Sequence, residues 1–221
     1  MIRIADITLS ILSLVFFMPL LLIFCIILKF TGQGKIFYSQ KRVGRNGLEF
    51  RIFKFVTMLD DSEKLMNKTI TVRNDERVLP FGKFLRKTKF NEFPQLWNVI
   101  LGEMSLIGPR PLIKKNFDLY DENHKEAILK SKPGLSGIGS ILFSKEEELM
   151  SNNDDAWNFY KEKIIPYKGS LEMWFSKNNN FKLYCELIFF TVYVMITQNL
   201  NIMFKYYASL PKIPDVLKDK L

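Results

Sequence analysis

The sequence contains very little histidine and cysteine, the two residue types on which many enzyme sites depend. It has 1 histidine and 2 cysteines in 221 residues. His124 lies in the charged run DENHKEAILK, which predicts a surface position and excludes a histidine-based triad or a histidine-rich metal site. Cys25 and Cys185 lie in apolar runs, where free cysteines are ordinary, so the sequence predicts no disulfide framework.

The sequence also lacks the short motifs of several enzyme and nucleic-acid-binding classes. It contains no Walker loop, GxGxxG or HExxH motif, and it has neither zinc-finger spacing nor an RNP-type aromatic motif. Basic residues are instead in excess, since 32 Lys and Arg against 23 Asp and Glu give a formal net charge of +9. This excess predicts an anionic partner, and it favours acidic lipid or a phosphorylated substrate over nucleic acid.

The longest uncharged run extends from Ile7 to Leu28. At about 1.5 Å per residue, this run would just cross a hydrocarbon core about 30 Å thick. A cleaved signal peptide is disfavoured because the following KFTGQGKIFY offers no small-x-small site. Two interpretations stay open: a helix that spans the membrane, and a helix that is broken near Pro19 and returns to the same side. Basic residues at both ends of the run fit two ends that face the cytoplasm.

Shorter patterns follow this run. Two segments rich in β-branched and aromatic residues flank the turn at 44–47, which predicts a β-hairpin within residues 36–58. A helix that carries Arg86 is predicted to begin at residues 79–82. The polar segment 60–77 is expected to contain a mobile loop. The polar segment 145–155 is expected to be exposed. The apolar segment 183–207 leaves open a second transmembrane helix, although its polar later half favours a core or interfacial helix.

The stretch from Arg86 to Pro111, RKTKFNEFPQLWNVILGEMSLIGPRP, combines charges of both signs with residues that fix the backbone. A basic segment leads to Asn91 and Glu92, Pro94 follows, and a Gly-Pro-Arg-Pro turn ends the stretch. Basic groups offset phosphate charge, and a carboxylate holds a divalent metal or moves a proton. The pattern therefore suits the handling of phosphate, while a helix with a solvated charged face stays open as the alternative.

This stretch resembles the signature of the bacterial sugar transferases, the monotopic phosphoglycosyl transferases. That family reads Arg, a few residues, Asp-Glu-x-Pro-Gln, then Gly-Asp-Met-Ser and Gly-Pro-Arg-Pro. The positions that match in order and spacing are Arg86, Glu92, Pro94, Gln95, Met104, Ser105, Gly108, Pro109, Arg110 and Pro111. Glu103 replaces the usual aspartate of the second motif. Asn91 stands where the family carries its nucleophilic aspartate.

Shorter matches lie outside that stretch. The residues that keep the order of the family's Gln-x-Arg-x-Gly and Lys-Phe-Arg-Ser/Thr-Met segments are Gln40, Arg42, Gly44, Lys54, Phe55, Thr57 and Met58. The loop at 132–137 resembles Arg-Pro-Gly-Ile-Thr-Gly, with Lys132 in place of arginine. Arg3 and Asp6 match the Arg-x-x-Asp that opens the family's re-entrant, kinked helix, so the resemblance favours re-entry over a simple span.

The resemblance implies a reaction and a set of site residues. A sugar-1-phosphate would pass from a nucleotide diphosphate sugar, usually UDP-linked, to polyprenol (undecaprenyl) phosphate, with release of the nucleoside monophosphate. Asn91 and Glu92 take the catalytic positions, and Glu92 is the implied ligand of a Mg²⁺ cofactor. The implied substrate-binding residues are Lys54, Arg86, Gln95, Pro109, Arg110 and Lys132. The expected partners are the two substrates and membrane lipid, not nucleic acid, and a homodimer is left open.

The expected fold class is α/β of the α+β type, mostly helical with a small β-hairpin or sheet. It would comprise a re-entrant membrane helix within residues 1–31, and residues 32–221 would form a cytoplasmic, membrane-associated catalytic domain with amphipathic helices on the membrane surface. The expected location is the bacterial cytoplasmic (inner) membrane, with the active site on its cytoplasmic face.

Asn91 leaves three interpretations open. An amide is neutral at pH 7 and a poor nucleophile toward phosphorus, so Asn91 cannot replace a carboxylate in covalent catalysis. The residue could result from an engineered change that disables the nucleophile. A native asparagine would require another route, such as direct attack by the lipid phosphate or Glu92 as nucleophile. The third interpretation is a protein that binds these substrates without turnover.

Overall fold

The computed structural model describes residues 1–31, 34–59, 75–151 and 155–218 of the chain. It is mostly helical, and its strands form two-stranded sheets, as the sequence predicts. The strands are β1 (Phe37–Val43), β2 (Glu49–Phe55), β3 (Ser105–Ile107) and β4 (Gly134–Ser136). The helices are α1 (Ile2–Phe30), α2 (Pro80–Lys87), α3 (Gln95–Leu101), α4 (Lys114–Phe117), α5 (Glu122–Lys130), α6 (Ile138–Leu142), α7 (Glu146–Ser151), α8 (Ala156–Phe159), α9 (Ile165–Asn178), α10 (Phe181–Thr197), α11 (Asn201–Tyr206) and α12 (Asp215–Lys218).

Helix α1 is the only helix among the described residues that is long and apolar enough to cross a membrane. Its 29 residues would measure about 43 Å. The helical backbone continues through Pro19, so the break expected there is not shown, and re-entry stays a prediction. Its first turns are bound to the rest of the protein, because the Asp6 side chain is 2% exposed and accepts hydrogen bonds from β3 and α10.

The predicted β-hairpin is confirmed. Strands β1 and β2 pair antiparallel, with Phe37 opposite Phe55 and Val43 opposite Glu49. The connecting turn contains two residues in the left-handed region, Asn46 with φ 57° and Gly47 with φ 78°. Asparagine and glycine adopt this conformation more easily than other residues, which explains why the chain reverses at this point.

Two short helices hold the stretch that carries Asn91 and Glu92. Helix α2 begins at Pro80, whose fixed φ suits a first helical position, and ends before Lys89, which has φ 62°. A single 3₁₀ turn, Phe90–Glu92, then leads to α3. Asn98 on α3 binds the backbone of β2, because its Oδ1 accepts from Phe53 N at 3.1 Å and its Nδ2 donates to Arg51 O at 2.7 Å. The 3₁₀ turn is therefore fixed relative to the hairpin.

Strands β3 and β4 pair in parallel and bring the Gly-Pro-Arg-Pro turn against the loop that begins at Lys132. Ser105 lies opposite Gly134, and Ile107 lies opposite Ser136. The two backbones approach so closely at Gly108 that an added Cβ would lie 2.3 Å from Lys132 O. Only glycine fits at this position, because any side chain would collide with the neighbouring backbone.

We expect Gly108→Ala to lower the free energy of unfolding by about 2–3 kcal/mol, because the extra methyl group must push two paired backbones apart. Gly47→Ala is a suitable comparison, since its Cβ would meet nothing within 4 Å and only its φ of +78° is unfavourable. We expect that control to lose about 1 kcal/mol. Guanidinium unfolding in detergent measures both variants, and an equal loss would show that the β3–β4 backbones separate easily.

The main hydrophobic core lies between the later helices. Buried side chains of α6, α9 and α10, among them Ile138, Leu171 and Leu187, belong to one cluster. The opposite side of α10 exposes large apolar residues such as Phe189 and Ile196. Helix α10 is thus packed on the core with one apolar side uncovered, and segment 183–207 forms two helices, α10 and α11. The choice between a transmembrane and an interfacial helix stays a prediction. His124, expected at the surface, is instead packed against α9, with its side chain 12% exposed.

Candidate active site

The Asn91–Glu92 pair lies directly against the apolar helix α1. The residues on either side of the pair, Phe90 and Phe93, pack edge-on against Phe17 of α1, with ring centroids 5.6 and 5.0 Å away. Phe90 also contacts Phe24, about two turns further along the helix, at 5.3 Å. The apolar neighbours thus attach the pair to α1 while Asn91 and Glu92 line a cavity beside it.

Glu92 is held between two basic side chains. Lys54 Nζ on β2 donates to Glu92 Oε1 at 2.8 Å, and Arg110 Nη2 after β3 donates to the same oxygen at 2.9 Å. The Glu92 side chain is 15% exposed. Burial raises the pKa of Glu92, but attraction to Arg110 and Lys54 outweighs burial and holds this pKa well below its usual range. Glu92 is therefore ionised at every physiological pH, and its Oε2 accepts no hydrogen bond from a described residue.

Lys54 is the group in this cluster that titrates nearest to neutral pH. Burial lowers the pKa of Lys54 to about 8, although Glu92 acts in the opposite direction. Lys54 is consequently charged below that pH and neutral above it. A phosphate-bearing ligand would lose one of its basic contacts as the pH rises through this value.

We expect kcat/KM for an anionic substrate to fall as the pH rises above about 8, because kcat/KM reports the ionisation of the free enzyme. Arginine stays protonated throughout this range, so Lys54→Arg should keep its kcat/KM constant to at least about pH 10. The measurement is a pH profile of kcat/KM for both proteins. If kcat/KM of Lys54→Arg falls at the same pH, a group other than Lys54 causes the loss of activity at alkaline pH.

Asn91 is buried beside Glu92 with part of its hydrogen-bonding capacity unused. The residue is 8% exposed, and its Oδ1 has no hydrogen-bond partner among the described residues. A buried carbonyl oxygen without a donor is costly, and native proteins rarely leave one so. Because Asn91 lines the cavity, this oxygen is available to a metal ion or to a donor group of a ligand.

The cavity has a volume of about 620 Å³. Among the described residues, eight basic and five acidic side chains line it, so its lining carries a net positive charge. The basic residues are Lys54, Lys83, Arg86, Lys87, Lys89, Arg110, Lys145 and Lys168, and the acidic residues are Asp75, Glu92, Glu146, Glu147 and Glu148. Such a lining suits a ligand with several negative charges, such as a diphosphate.

The structure brings together only part of the predicted site. Lys54, Arg86, Asn91, Glu92 and Arg110 all line the cavity. Arg86 forms neither a hydrogen bond nor an ion pair with Glu92, however, and instead pairs with Glu147 of α7, which also lines the cavity.

The other predicted substrate-binding residues lie elsewhere. Gln95 is 2% exposed in the first turn of α3, and the carbonyl of Pro109 accepts a hydrogen bond from Gly134 N at 2.8 Å. Lys132 lies near Arg3, and burial, followed by repulsion from Arg3, lowers its pKa. None of these three is among the described residues that line the cavity, and their roles in binding stay predictions.

Part of the cavity lining is not marked by any motif in the sequence. Glu146 and Glu147 fall in a segment expected to be exposed, yet both line the cavity and pair with its basic residues. Lys168 lies in an amphipathic stretch far from any motif, and it also lines the cavity. No local pattern marks these residues, because only the packing of α7 and α9 brings them opposite Glu92.

The chain's own oxygen atoms are compatible with one Mg²⁺ ion. Among the described residues there is no group of three or more His, Cys, Asp and Glu that could hold a metal ion. Mg²⁺ is usually bound through one or two carboxylates, with water and substrate phosphates completing its coordination. Glu92 Oε2 and Asn91 Oδ1 accept no hydrogen bond from a described residue, and these two oxygens match what Mg²⁺ needs from the protein.

Comparison with known proteins gives the same family as the motifs. A family model described as "Bacterial sugar transferase" matches residues 1–198. The exopolysaccharide production protein ExoY of Sinorhizobium fredii is 37% identical over 150 residues, which are 62% of this chain and 66% of that protein. ExoY of Rhizobium meliloti is 35% identical over 183 residues, or 74% of this chain and 80% of that protein.

A relative with a more specific name matches over a smaller part of its own length. The UDP-glucose:undecaprenyl-phosphate glucose-1-phosphate transferase of Klebsiella pneumoniae is 36% identical over 143 residues, which are 63% of this chain but 30% of that protein. The chain thus spans 66% and 80% of the two ExoY proteins and under a third of this longer relative. The family resemblance drawn from the sequence motifs is confirmed, and the chain belongs to the bacterial sugar transferases.

Proposed function

We propose that the protein transfers a sugar-1-phosphate from a UDP-sugar to undecaprenyl phosphate and releases uridine monophosphate. The observation that carries this proposal is Glu92, paired with Lys54 and Arg110 at a positively charged cavity, on a segment packed against an apolar helix. This arrangement provides charge for a diphosphate next to a surface for a lipid. The name of the Klebsiella pneumoniae relative describes the same reaction for that protein.

The attachment of α1 supports a protein that binds one face of a bilayer. At the start of α1, Arg3 donates to the carbonyls of Val99 and Ile100 on α3. Near its end, Phe24 and Leu28 are buried in a cluster with residues of β2 and α2. A helix that crossed a bilayer would carry one end about 30 Å away from the domain that its other end contacts. Contacts at both ends therefore disfavour a simple span, and we propose that α1 enters one leaflet only, with the active site at the cytoplasmic face of the inner membrane.

The side chains of the cavity would bind and orient the donor. Lys54, Arg110 and Arg86 would offset the charge of its two phosphates, with Arg86 leaving Glu147 to do so. Glu92 and Asn91 would hold Mg²⁺, which when bound supplies further neutralisation of the diphosphate.

We also propose that the lipid phosphate attacks directly. Asn91 is a neutral amide, and Glu92 is an ionised carboxylate whose negative charge is neutralised by two cations, so neither is an activated nucleophile. An oxygen of undecaprenyl phosphate would form a bond to the sugar-bearing phosphorus. The bond from this phosphorus to the oxygen that bridges the two phosphates would break, and uridine monophosphate would leave with that oxygen. The attacking phosphate is already deprotonated, so the step needs no general base.

A paired assay of this chain and Asn91→Asp tests the reaction and the route together. For this chain we expect release of uridine monophosphate only when UDP-sugar, undecaprenyl phosphate and Mg²⁺ are all present. Mass spectrometry should find no phosphosugar adduct on it, and labelled uridine monophosphate should not exchange into the donor without acceptor. Turnover by Asn91→Asp alone would indicate that this chain binds its substrates without transfer. Exchange of labelled uridine monophosphate into the donor without acceptor would overturn the direct attack by the lipid phosphate, but not the transfer reaction itself.

A further inference from the structure

Lys168 of α9 is a buried basic residue that lines the same cavity as Glu92. It is 9% exposed and lines the cavity together with Phe143 and Glu146. Its Nζ lies 2.7 Å from each carboxylate oxygen of Glu146, and 4.9 and 5.9 Å from the ring centroids of Phe143 and Tyr160. Both rings thus lie within cation–π distance of the ammonium group, which the Glu146 carboxylate binds directly.

The negative charge beside Lys168 belongs to Glu146 and not to the nearby Glu172. Glu172 lies one turn further along α9, and burial raises its pKa to about 8, so its carboxyl is protonated at neutral pH. Attraction to Glu92, and to a lesser degree to Glu146, raises the pKa of Arg110 despite burial. The carboxylate of Glu146 therefore pairs directly with Lys168, and Arg110 lines the same cavity.

We infer that Lys168 forms a second phosphate-binding subsite in this cavity, and that the carboxylate of Glu146 occupies the place of the phosphate when no ligand is bound. A carboxylate and a phosphate oxyanion accept the same charge-assisted hydrogen bonds, so one replaces the other without rearrangement of the donors. The side chain of Glu146 can move away from Lys168, because Glu146 is the first residue of the short helix α7 and its side chain is 26% exposed. The inference rests on the proposed function, which requires the cavity to bind two phosphate-bearing substrates.

A purely structural ion pair predicts a different result from an exchangeable one. If the pair only stabilises the packing of α7 on α9, removing either charge leaves the other unpaired, and both changes harm the protein in the same way. If Glu146 competes with a phosphate, the two changes act in opposite directions. Loss of the Lys168 charge then weakens phosphate binding, and loss of the Glu146 charge strengthens it.

The experiment titrates the full chain in detergent with uridine diphosphate and, separately, with farnesyl phosphate, by isothermal calorimetry. We expect Lys168→Met to raise the Kd of one probe about tenfold and Glu146→Gln to lower that Kd about threefold, which is the size expected for one charge-assisted hydrogen bond to phosphate. The probe that responds identifies the source of the phosphate, which is the nucleotide donor or the lipid acceptor. Lys163→Ala is the matched control, because Lys163 is 47% exposed and does not line the cavity.

The outcomes separate this inference from the proposed function. Opposite shifts in the two variants, with Lys163→Ala unchanged, would support the subsite. Weaker binding in both variants, or no change in either, would overturn the subsite. The proposed function would still stand if the unaltered chain transfers sugar phosphate. Since Lys168→Met removes a buried contact, Glu146→Gln is decisive if the first variant does not fold. Failure of the unaltered chain to bind either probe would count against both proposals.

Discussion

Replacing Glu92 by glutamine is expected to reduce kcat for sugar-phosphate transfer by about 10²–10³, the range seen when one preorganised electrostatic group is lost from an active site. The amide has nearly the same shape as the carboxylate, so the fold should be unaffected. It removes the charge that is paired with Lys54 and Arg110 at 2.8 and 2.9 Å. It also removes the anionic oxygen proposed to bind Mg²⁺.

The Michaelis constant for the donor should stay the same or fall, unlike the effect of a lost binding contact. Without Glu92, Lys54 and Arg110 have no counter-ion at this position, and we expect them to bind the donor diphosphate as tightly as before or more tightly. Steady-state kinetics at several Mg²⁺ concentrations separate kcat from KM. Glu103→Gln is the matched control, because its carboxylate accepts from Asn98 Nδ2 at 2.7 Å and does not line the cavity. Full activity in Glu92→Gln would contradict the proposed role of this carboxylate.

Local patterns in the sequence predicted those elements whose cause is itself local. The β-hairpin follows from Asn46 and Gly47, which adopt positive φ at the reversal. Helix α2 begins at Pro80, where the sequence predicts it. The long apolar helix needs only composition and length to be identified. Its attachment at both ends could not be predicted in this way, because Arg3 and Phe24 find their partners through the tertiary fold.

The candidate site also contains residues that local motifs identify and residues that only the tertiary fold brings together. Glu92 and Arg110 were recognised from spacing within one motif, and the structure places their side chains 2.9 Å apart. Gln95 belongs to the same motif but points into the protein at the start of α3, so membership of a motif did not predict orientation. Glu146 and Lys168 lie 22 positions apart, outside any motif, and meet only through the packing of two helices. The prediction for segment 60–77 lies mostly outside the described residues.

The second large effect is expected from Asp6→Ala, which should lower the free energy of unfolding by about 3–5 kcal/mol. Asp6 Oδ1 accepts hydrogen bonds from Ser105 Oγ at 3.0 Å, Leu106 N at 2.9 Å and Tyr184 OH at 2.8 Å. One side chain of α1 thereby joins β3 and α10. Alanine would leave three donors without an acceptor in a site where Asp6 itself is 2% exposed, and each unsatisfied group is costly.

Two further variants on and around this contact show whether the loss comes from these hydrogen bonds. Asp6→Asn keeps an acceptor oxygen at the same place, so we expect it to lose only about 1–2 kcal/mol. Ser10→Ala, one turn along α1, should be neutral or stabilising, because Ser10 Oγ is buried without a partner among the described residues. Thermal and guanidinium unfolding in detergent measure all three proteins. An Asp6→Ala variant as stable as Ser10→Ala would show that this contact does not hold the start of α1, and its attachment would then depend on Arg3 alone.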